Sequence, residues 1–269
     1  MGALFYYPYV LNYENTLRYA YAVPHFFSRR NLKLTFLGTR GYIDVRTRRH
    51  YRHASLLVTH KKTRIMIDCG IDWERKVHDI NADAIFITHA HPDHAWGLKK
   101  GAPCPVYATR ESWEILKNYP VEHRLVKPKH KISLGGITLQ AFPVVHSIRA
   151  PAVGYRITAA RKSFFYVPDL IDIVDRHKAL HGAKLYIGDG ATITRPMVRR
   201  KGDKLFGHTT IRAQLGWCQQ EEVPRAIFSH CGTQIVGGDG RKLGALIRRL
   251  GKERGVDVSV AHDGMEIML

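Results

Sequence analysis

Short apolar runs, separated by polar and glycine-containing segments, recur from about residue 32 to residue 261. Runs of this length that are rich in valine, isoleucine and phenylalanine are typical of buried β-strands. In chain order the strand-like runs are LKLTFLG, ASLLV, RIMIDCG, AIFITH, PVYAT, ITLQAFPVVH, AVGYRI, SFFYVPD, LYIGDG, RAIFSH and VDVSVAH. Helices are predicted over about residues 111–118, 209–221 and 240–254, the last of them basic. Together these elements indicate an α/β protein.

The segment that follows the run AIFI is unusually rich in metal-binding side chains. Residues 88–94 read THAHPDH, so that three imidazoles and one carboxylate fall between residues 89 and 94. Neutral imidazole nitrogens and carboxylate oxygens are good ligands for zinc and similar divalent ions. In an extended loop His89, His91 and Asp93 would point to one side, and His94 would serve a second ion. The segment therefore predicts a metal site, although a polar surface loop would be the plainer interpretation.

This segment resembles the His-x-His-x-Asp-His signature of the metallo-β-lactamase superfamily of metallohydrolases. Members of that superfamily carry a further His, a bridging Asp and a last His, each near the end of a strand. Here His146, Asp169 and His230 follow apolar runs in that order. The resemblance covers about residues 32–269. It implies an αββα metallo-β-lactamase sandwich, formed as a single domain over residues 31–269, with the metal site at one edge.

The resemblance also implies a site for two divalent metal ions, with zinc expected and Mn2+ or Fe2+ as alternatives. Seven residues would supply the ligands: His89, His91 and His146 for one ion, Asp93, His94 and His230 for the second, and Asp169 as the bridge between them. An imidazole at position 91 favours hydrolysis, because the di-iron redox branch usually has a carboxylate there. Two close divalent ions lower the pKa of a shared water and stabilise charge on the group that is attacked.

A second segment narrows the chemistry. Gly207-His208-Thr209-Thr210 resembles the His-Ser-Thr motif of ribonuclease Z and related phosphodiesterases, whose His assists the leaving group. Asp189, in YIGDGATI, stands where those enzymes have an acidic partner for this His, and a carboxylate favours the charged imidazole. Asp93 is a third catalytic candidate, because it could orient the attacking water or accept its proton. The plainer interpretations are a helix start at His208, a Gly-Asp-Gly turn at Asp189 and a simple metal ligand at Asp93.

The chain departs from ribonuclease Z between His146 and Asp169. Only residues 147–168 separate them, whereas ribonuclease Z usually has a long insertion there that grips transfer RNA. Transfer-RNA processing is therefore in doubt. The spacing is closer to small phosphodiesterases such as the cyclic-ribose-phosphate phosphodiesterase of phosphonate breakdown, which also binds a structural zinc through clustered cysteines. The four cysteines of this chain are scattered, so no structural zinc is predicted.

The charge balance favours an anionic partner. Lys and Arg outnumber Asp and Glu by 42 to 23, which gives a formal net charge of +19. Two groups are locally dense: Arg46, Arg48, Arg49, Arg52, Lys61, Lys62 and Arg64 around ASLLV, and Arg195, Arg199, Arg200, Lys201 and Lys204 before His208. If they flank the metal site, they could follow the phosphate backbone of RNA or DNA. A solvated basic surface is the alternative.

Two further residues are candidates for substrate binding. Arg149 follows His146 by three residues and could contact a phosphate in a bidentate way. His262 follows the last strand and could reach the rim of the site. The alternative for His262 is a turn that ends the strand, with Asp263 and Gly264 as its turn residues.

Residues 1–30 form an aromatic-rich N-terminal extension. Its polar interruptions make it a poor membrane span, and it lacks the basic start and apolar core of a signal peptide. Tyrosines are common at interfaces, so a contact with a partner or a homo-oligomer contact is one interpretation, and packing over the domain is the other. Four scattered cysteines and no signal peptide predict a cytoplasmic protein with no membrane association.

These observations favour a dinuclear-metal phosphodiesterase that acts on nucleic acid or on a small cyclic phosphate. Two alternatives stay open. A thioester or lactone hydrolase of the same fold, such as glyoxalase II, would share His-x-His-x-Asp-His without needing His208, Asp189 or this much positive charge. A nucleic-acid-binding protein with purely structural metals would bind in a salt-sensitive way without turnover.

Overall fold

The β-structure consists of two large sheets and one separate hairpin. A computed structural model describes residues 32–269, and the predicted extension over residues 1–30 lies outside them. The strands are β1 (Leu32–Gly38), β2 (Ser55–His60), β3 (Thr63–Ile67), β4 (Ala84–Phe86), β5 (Val106–Ala108), β6 (His123–Leu125), β7 (Lys131–Leu134), β8 (Ile137–Val145), β9 (Ala152–Ala159), β10 (Lys162–Tyr166), β11 (Asp172–Ile173), β12 (Leu185–Asp189), β13 (Met197–Lys201), β14 (Lys204–His208), β15 (Arg225–Ser229), β16 (Asp257–Val260) and β17 (Glu266–Met268). The first sheet has the order β17-β1-β2-β3-β4-β5-β6, and the second has the order β11-β8-β9-β10-β12-β15-β16 with β7 beside β8.

Helices lie between these strands, and three of them begin at a side-chain cap. They are α1 (Pro92–Ala95), α2 (Arg110–Leu116), α3 (Arg176–Leu180), α4 (Ile211–Gln220), α5 (Thr233–Val236) and α6 (Gly240–Lys252), with short 3₁₀ turns over Ile71–Trp73, Val77–Ile80 and Trp96–Lys100. The Thr210 hydroxyl caps α4 by accepting a hydrogen bond from the backbone N–H of Ala213. The three predicted helices correspond to α2, α4 and α6, with ends displaced by up to two residues.

Successive side chains of the buried strands point to opposite faces of each sheet and pack into different cores. In β2, Leu56 and Val58 lie in the core between the two sheets, whereas Leu57 packs beneath the helices outside the first sheet. In β10, Phe164 faces the inter-sheet core and Phe165 faces the helices outside the second sheet. Both faces of these strands are buried, which explains why they appear in the sequence as continuous apolar runs. The layers are therefore helix, sheet, sheet and helix, as predicted.

Parallel pairing brings the ends of several strands to one edge. β4 pairs in parallel with β3 and β5, and β12 pairs in parallel with β10 and β15. The carboxyl ends of parallel strands open onto a common edge, where α/β proteins usually bind ligands. The segments that follow β4, β10, β12 and β15 meet there.

The hairpin β13–β14 is absent from the predicted elements. Its strands pair antiparallel from Met197 opposite His208 to Lys201 opposite Lys204, and β13 is exposed along its whole length. Its sequence, MVRRKGDKLFGH, has no apolar alternation, because β13 is fully exposed and β14 is at most half-buried, so periodicity could not reveal it. The hairpin stands at the site edge and ends at His208.

A buried ion pair holds the segment between β1 and β2. The Arg40 side chain is 1% exposed and donates hydrogen bonds to Asp72 Oδ2 at 3.0 Å and to the Tyr51 carbonyl at 3.0 Å. Asp72 also accepts from the backbone N–H of His53 at 2.9 Å. Burial alone would raise the pKa of Asp72, but His53 and Arg40 hold it well below its usual range.

Asp72→Ala should therefore destabilise the protein strongly, by about 3–5 kcal/mol, because it leaves the Arg40 guanidinium buried without a counter-charge. The free energy of unfolding, measured in guanidinium chloride, tests this. The control is Asp44→Ala in the segment between β1 and β2, where the carboxylate is exposed and the expected change is about 0.5 kcal/mol or less. Equal losses for the two variants would show that the Arg40–Asp72 pair does not stabilise the fold.

Candidate metal centre

The site is assembled from residues that directly follow buried strands. His89, His91, Asp93 and His94 follow β4, and the last two lie in helix α1. His146 directly follows β8, Asp169 lies three residues after β10, and His230 directly follows β15. Gly70 permits the close packing of α1, because a Cβ at Gly70 would lie 2.0 Å from the Asp93 carbonyl oxygen. All seven predicted ligands come together at this edge.

The first donor group contains three histidines and one carboxylate. His89 Nε2 lies 3.0 Å from His91 Nδ1, and His146 Nε2 lies 3.4 Å from the same atom. His89 Nε2 and His146 Nε2 are each 3.3 Å from Asp169 Oδ2. Four donor atoms thus surround one point on one side of Asp169.

The second donor group lies on the other side of Asp169. His94 Nε2 is 3.1 Å from Asp93 Oδ2 and 3.2 Å from Asp169 Oδ2. His230 Nε2 is 3.1 Å from Asp93 Oδ2, and His230 Nδ1 is 2.7 Å from Asp169 Oδ1. Asp169 therefore belongs to both groups, as the sequence implied.

The donor atoms fit divalent metal ions by chemistry and by spacing. Two ligand atoms about 2.1 Å from a tetrahedral zinc ion lie roughly 3.4 Å from each other, close to the separations in both groups. Three of the buried atoms, namely His94 Nε2, His230 Nδ1 and Asp169 Oδ1, make no hydrogen bond of acceptable geometry. Buried polar atoms without hydrogen bonds are costly in protein interiors, and coordination of a cation would satisfy all three.

Hydrogen bonds behind the histidines fix which ring nitrogen faces the centre. His146 Nδ1 donates to the Gly207 carbonyl at 3.1 Å, and His94 Nδ1 donates to Asp68 Oδ2 at 2.9 Å. Each bond leaves the Nε2 lone pair directed at the donor group, the tautomer that a metal ligand needs. Gly207 has φ +120°, and a Cβ there would lie 2.0 Å from the Met197 carbonyl oxygen, so glycine is required.

Asp68 is a residue that sequence reasoning missed. It is fully buried, and its Oδ1 accepts from the backbone N–H of Thr88 at 2.8 Å and from the Thr88 hydroxyl at 2.9 Å. The Thr88 oxygen in turn lies 3.0 Å from His89 Nδ1. One carboxylate therefore orients both His89 and His94. The one sequence feature that could have indicated Asp68 is its position directly after the apolar run RIMI, which forms a strand parallel to β4 in the structure.

Asp68→Asn should weaken metal binding by about 10- to 100-fold, the usual effect of changing a partner that orients a ligand. Titration of the metal-free protein with Zn2+ against a competing chelator measures this directly. Asp79→Asn, an exposed carboxylate away from the centre, should leave the affinity unchanged. If the two variants bound metal equally well, Asp68 would have no part in positioning the ligands.

Electrostatics favour two ionised carboxylates at this centre. Burial alone would raise the pKa of Asp169, but His230, His146 and His94 hold it well below the usual range. The pKa of Asp93 is lowered in the same way, because His94 and His230 outweigh its burial. Buried anions need this kind of compensation to exist inside a protein.

His208 and Asp189 lie directly beside the shared carboxylate. His208 Nδ1 is 2.8 Å from Asp189 Oδ2 and 3.8 Å from Asp169 Oδ1. Burial alone would lower the pKa of His208, but Asp189 outweighs it, so this pKa is raised. Asp189 is itself anchored, since Gln214 accepts from its backbone N–H at 2.9 Å and donates to its carbonyl at 2.8 Å. His208 is the last residue of β14 and not the start of α4, and Asp189 is the last residue of β12.

A cavity of about 820 Å³ opens over this centre. His91, Asp93, His146, Asp169, His208 and His230 form its base. Tyr42 and Ile43 form one wall, and Arg195, Pro196 and Met197 at the start of the hairpin form another. Tyr42 is 65% exposed, so its ring is available to a ligand. The predicted elements gave no indication of these walls.

The structure does not bring the two predicted substrate contacts into this cavity. Arg149 is exposed and is not part of the lining. His262 also lies outside the lining, and its Nδ1 contacts the carbonyl of Asp263 at 3.1 Å. Asp263 starts a turn and accepts from the Thr39 hydroxyl at 2.7 Å and from the Arg52 N–H at 2.8 Å. For His262 the alternative interpretation, a turn that ends the strand, therefore describes the structure better.

The two basic groups do not form one continuous basic surface along the cavity. Arg195 lines the cavity, and the other members of the second group lie on the exposed hairpin that ends at His208. The first group is dispersed, because Lys61 and Lys62 lie in the turn before β3, at the far end from Asp68. Arg48 and Arg49 of the first group line a separate cavity. In residues 32–269, none of the helices is long and apolar enough to span a lipid bilayer.

Several known proteins are similar to this chain in sequence. A family model described as "Beta-lactamase superfamily domain" matches residues 63–231, more than half of the chain. Ribonuclease Z of Methanopyrus kandleri is 29% identical in an alignment of length 148 that covers 48% of this chain and 50% of that protein. The chain spans about half the length of the curated relatives it matches.

Solved structures resemble the whole described fold. The metallo-β-lactamase-fold protein YhfI from Bacillus subtilis superimposes with a TM-score of 0.70 at 16% identity, covering 89% of this chain and 100% of that one. A diphosphatase of the PhnP family superimposes with a TM-score of 0.70 at 21% identity, covering 89% of this chain and 97% of that one. The predicted fold is confirmed.

Proposed function

Since this chain belongs to the β-lactamase superfamily, we propose that it is a metal-dependent hydrolase that cleaves phosphodiester bonds. One observation carries the proposal. Two donor groups share Asp169, and the pair formed by His208 and Asp189 lies beside that shared carboxylate at the base of an open cavity. Hydrolysis of a thioester or lactone would not need this second pair.

The proposed metal ligands are those of the two donor groups. His89, His91 and His146 would hold one ion, Asp93, His94 and His230 the other, and Asp169 both. We propose zinc, because the set is dominated by imidazoles, with Mn2+ or Fe2+ as alternatives. Two such ions, when bound, supply Lewis-acid stabilisation and a water of lowered pKa.

The protein's own groups would position the substrate and move protons. Asp189 fixes Nδ1 of His208, which leaves Nε2 as the nitrogen available to a leaving oxygen. Asp93 lies at the base of the cavity and could orient the attacking water or accept its proton. The cavity walls would hold the remainder of the phosphodiester, with Arg195 as the nearest cationic side chain of the lining.

We propose RNA or DNA as the substrate class. The curated relatives are named ribonuclease Z, and the chain carries a formal net charge of +19, which suits a polyanion. Residues 147–168 contain a loop and the strands β9 and β10. That interval therefore holds no protruding arm, and we do not extend the proposal to transfer-RNA processing. We keep the cytoplasm as the proposed location because the four cysteines are free, and a homo-oligomer remains a prediction.

Hydrolysis of bis(p-nitrophenyl) phosphate by purified protein, with metal counted on the same sample, tests this function. We expect turnover together with about two metal ions per chain. A thioester, a lactone and single-stranded RNA and DNA complete the panel. Turnover of the thioester or lactone alone would replace the proposal with the alternative hydrolase, and bound metal without any turnover would favour a binding protein.

A further inference from the structure

A second cavity, of about 1070 Å³, lies next to the metal centre. Its floor includes Ile235, Ile247 and Val258, which belong to the core on the outer face of the second sheet. Its rim carries the side chains of Arg48, Arg49, Arg241 and Arg248. Arg48 and Arg49 come from the segment between β1 and β2, and the other two come from α6. Two elements far apart in sequence thus direct cationic groups at one concave surface.

These four guanidinium groups have no carboxylate partner among the described residues. Asp239 is the acidic residue of the lining, and its Oδ1 caps α6 by accepting from the backbone N–H groups of Arg241 and Lys242 at 2.9 and 3.2 Å. Arg225, by contrast, lies 3.6 Å from the Asp257 carboxylate. Four unpaired arginines around one cavity create a strongly positive potential that favours an anionic ligand.

A buried polar side chain also faces this cavity. His50 is 7% exposed and lines it, and Nδ1 of His50 lies 2.9 Å from the Thr39 hydroxyl oxygen. Nε2 of His50 makes no hydrogen bond to another described residue. It is therefore available to a ligand as a donor or an acceptor.

One short helix separates the two cavities. Thr233 and Gln234 of α5 line the metal cavity, and Ile235 and Val236 of the same helix line the arginine-rimmed cavity. A helix with its side chains is about 10–12 Å across, a distance that an extended single strand spans with a few nucleotides. A strand that is cut at the metal centre would reach the second cavity within a few nucleotides.

We propose that this cavity binds the phosphate backbone of the same single-stranded RNA or DNA that is hydrolysed at the metal centre, about two to four nucleotides from the scissile bond. The inference rests on the proposed phosphodiesterase function. Arginine suits this role, because its planar guanidinium matches phosphate oxygens in a bidentate way.

A lipid surface fits the same cavity less well. Binding to a bilayer would require an apolar face that can enter the headgroup region. The apolar side of α6 is already used inside the protein, since Ile247 and Leu250 are buried and Leu243 and Leu246 pack against the core. The helix therefore presents charge, but no free apolar face, to a membrane.

The test compares two double variants of equal charge change. Arg48→Gln with Arg248→Gln removes two cations from the rim, and Arg161→Gln with Lys162→Gln removes two exposed cations at the opposite end of the second sheet. The dissociation constants of a 12-nucleotide single strand, as RNA and as DNA, are measured over a range of salt concentrations. In the rim variant we expect binding weaker by at least about tenfold and a salt slope smaller by about 1.4, since each lost contact to a single strand removes about 0.7. The control should change neither quantity by more than about twofold.

Kinetics separate this inference from the proposed function. The rim variant should hydrolyse bis(p-nitrophenyl) phosphate and a dinucleotide as the unchanged protein does. In the unchanged protein we expect a lower KM for the 12-nucleotide substrate than for the dinucleotide, and in the rim variant this KM should rise. Equal oligonucleotide binding by the two double variants would overturn the inference while leaving hydrolysis intact. Loss of binding to vesicles rich in phosphatidylserine, with oligonucleotide binding unaffected, would also overturn it in favour of a lipid. Absence of all hydrolysis, with oligonucleotide binding still lost in the rim variant, would instead overturn the phosphodiesterase proposal.

Discussion

Asp169→Ala is expected to abolish hydrolysis and to release metal. Asp169 is the carboxylate that both donor groups share, so its loss would remove one proposed ligand from each of the two expected ions and a negative charge that would offset their positive charge. We expect turnover of bis(p-nitrophenyl) phosphate to fall by at least about 1000-fold, which is roughly 4 kcal/mol of transition-state stabilisation. Elemental analysis of the purified variant should show fewer than the two metal ions expected for the unchanged protein.

Asp172→Ala provides the matched control for this experiment. Asp172 is three residues further along the same segment, but its carboxylate pairs with Arg176 and lies outside both donor groups. This control should retain its metal and most of its activity. Full activity and full metal content in the Asp169 variant would exclude Asp169 as the bridge and, with it, the division of ligands proposed above. Circular dichroism of both variants checks that the fold is intact.

The candidate ligands could be named from the sequence because the family resemblance gives the residue types, and the matching residues follow buried strands. The ends of AFPVV and RAIFS directly precede His146 and His230, and β4 precedes the segment from His89 to His94. Buried strands are apolar on both faces, so their ends are visible in the sequence without an alignment. The His-x-His-x-Asp-His signature in residues 89–94 then indicated which residue types bind metal.

Residues that reach the site only through contacts between distant segments could not be found from local sequence patterns. Asp68 orients His94 only because β3 lies beside β4 in parallel, a register that no local pattern encodes. Tyr42 and Met197 come from segments without periodicity, and they reach the cavity through the loop after β1 and the exposed hairpin. Local patterns reveal elements and ligand types, whereas the neighbours of a site depend on long-range packing.

For the basic residues too, closeness along the chain did not predict closeness in the fold. The sequence placed Arg48 and Lys61 in one group because they lie close along the chain. In the fold Arg48 joins Arg241 and Arg248 at a cavity beside the metal centre, whereas Lys61 lies in a turn at the far end of β2. Net charge therefore favours an anionic partner, but only the fold shows where such a partner could bind.

His208→Ala should slow hydrolysis while leaving both metals bound. His208 lies outside the two donor groups proposed to hold the ions, although it forms a further cluster with Asp169, Asp189 and His230. Its Nδ1 is held by Asp189 at 2.8 Å, and its side chain is 20% exposed and lines the cavity. If it protonates the leaving oxygen, its loss should matter most for a poor leaving group. We expect a fall of about 100- to 10,000-fold for a dinucleotide, whose leaving group is an alkoxide.

The same variant should lose less than about tenfold on bis(p-nitrophenyl) phosphate, because p-nitrophenolate departs without a proton. A merely structural role for His208 would lower both rates by the same factor, and that outcome would contradict the assignment. Asp189→Asn should follow the pattern of His208→Ala with a smaller effect, since the amide can still accept a hydrogen bond from Nδ1 but no longer stabilises the imidazolium. The loss of rate on the dinucleotide, compared with the loss on bis(p-nitrophenyl) phosphate, therefore distinguishes proton donation by His208 from a purely structural role.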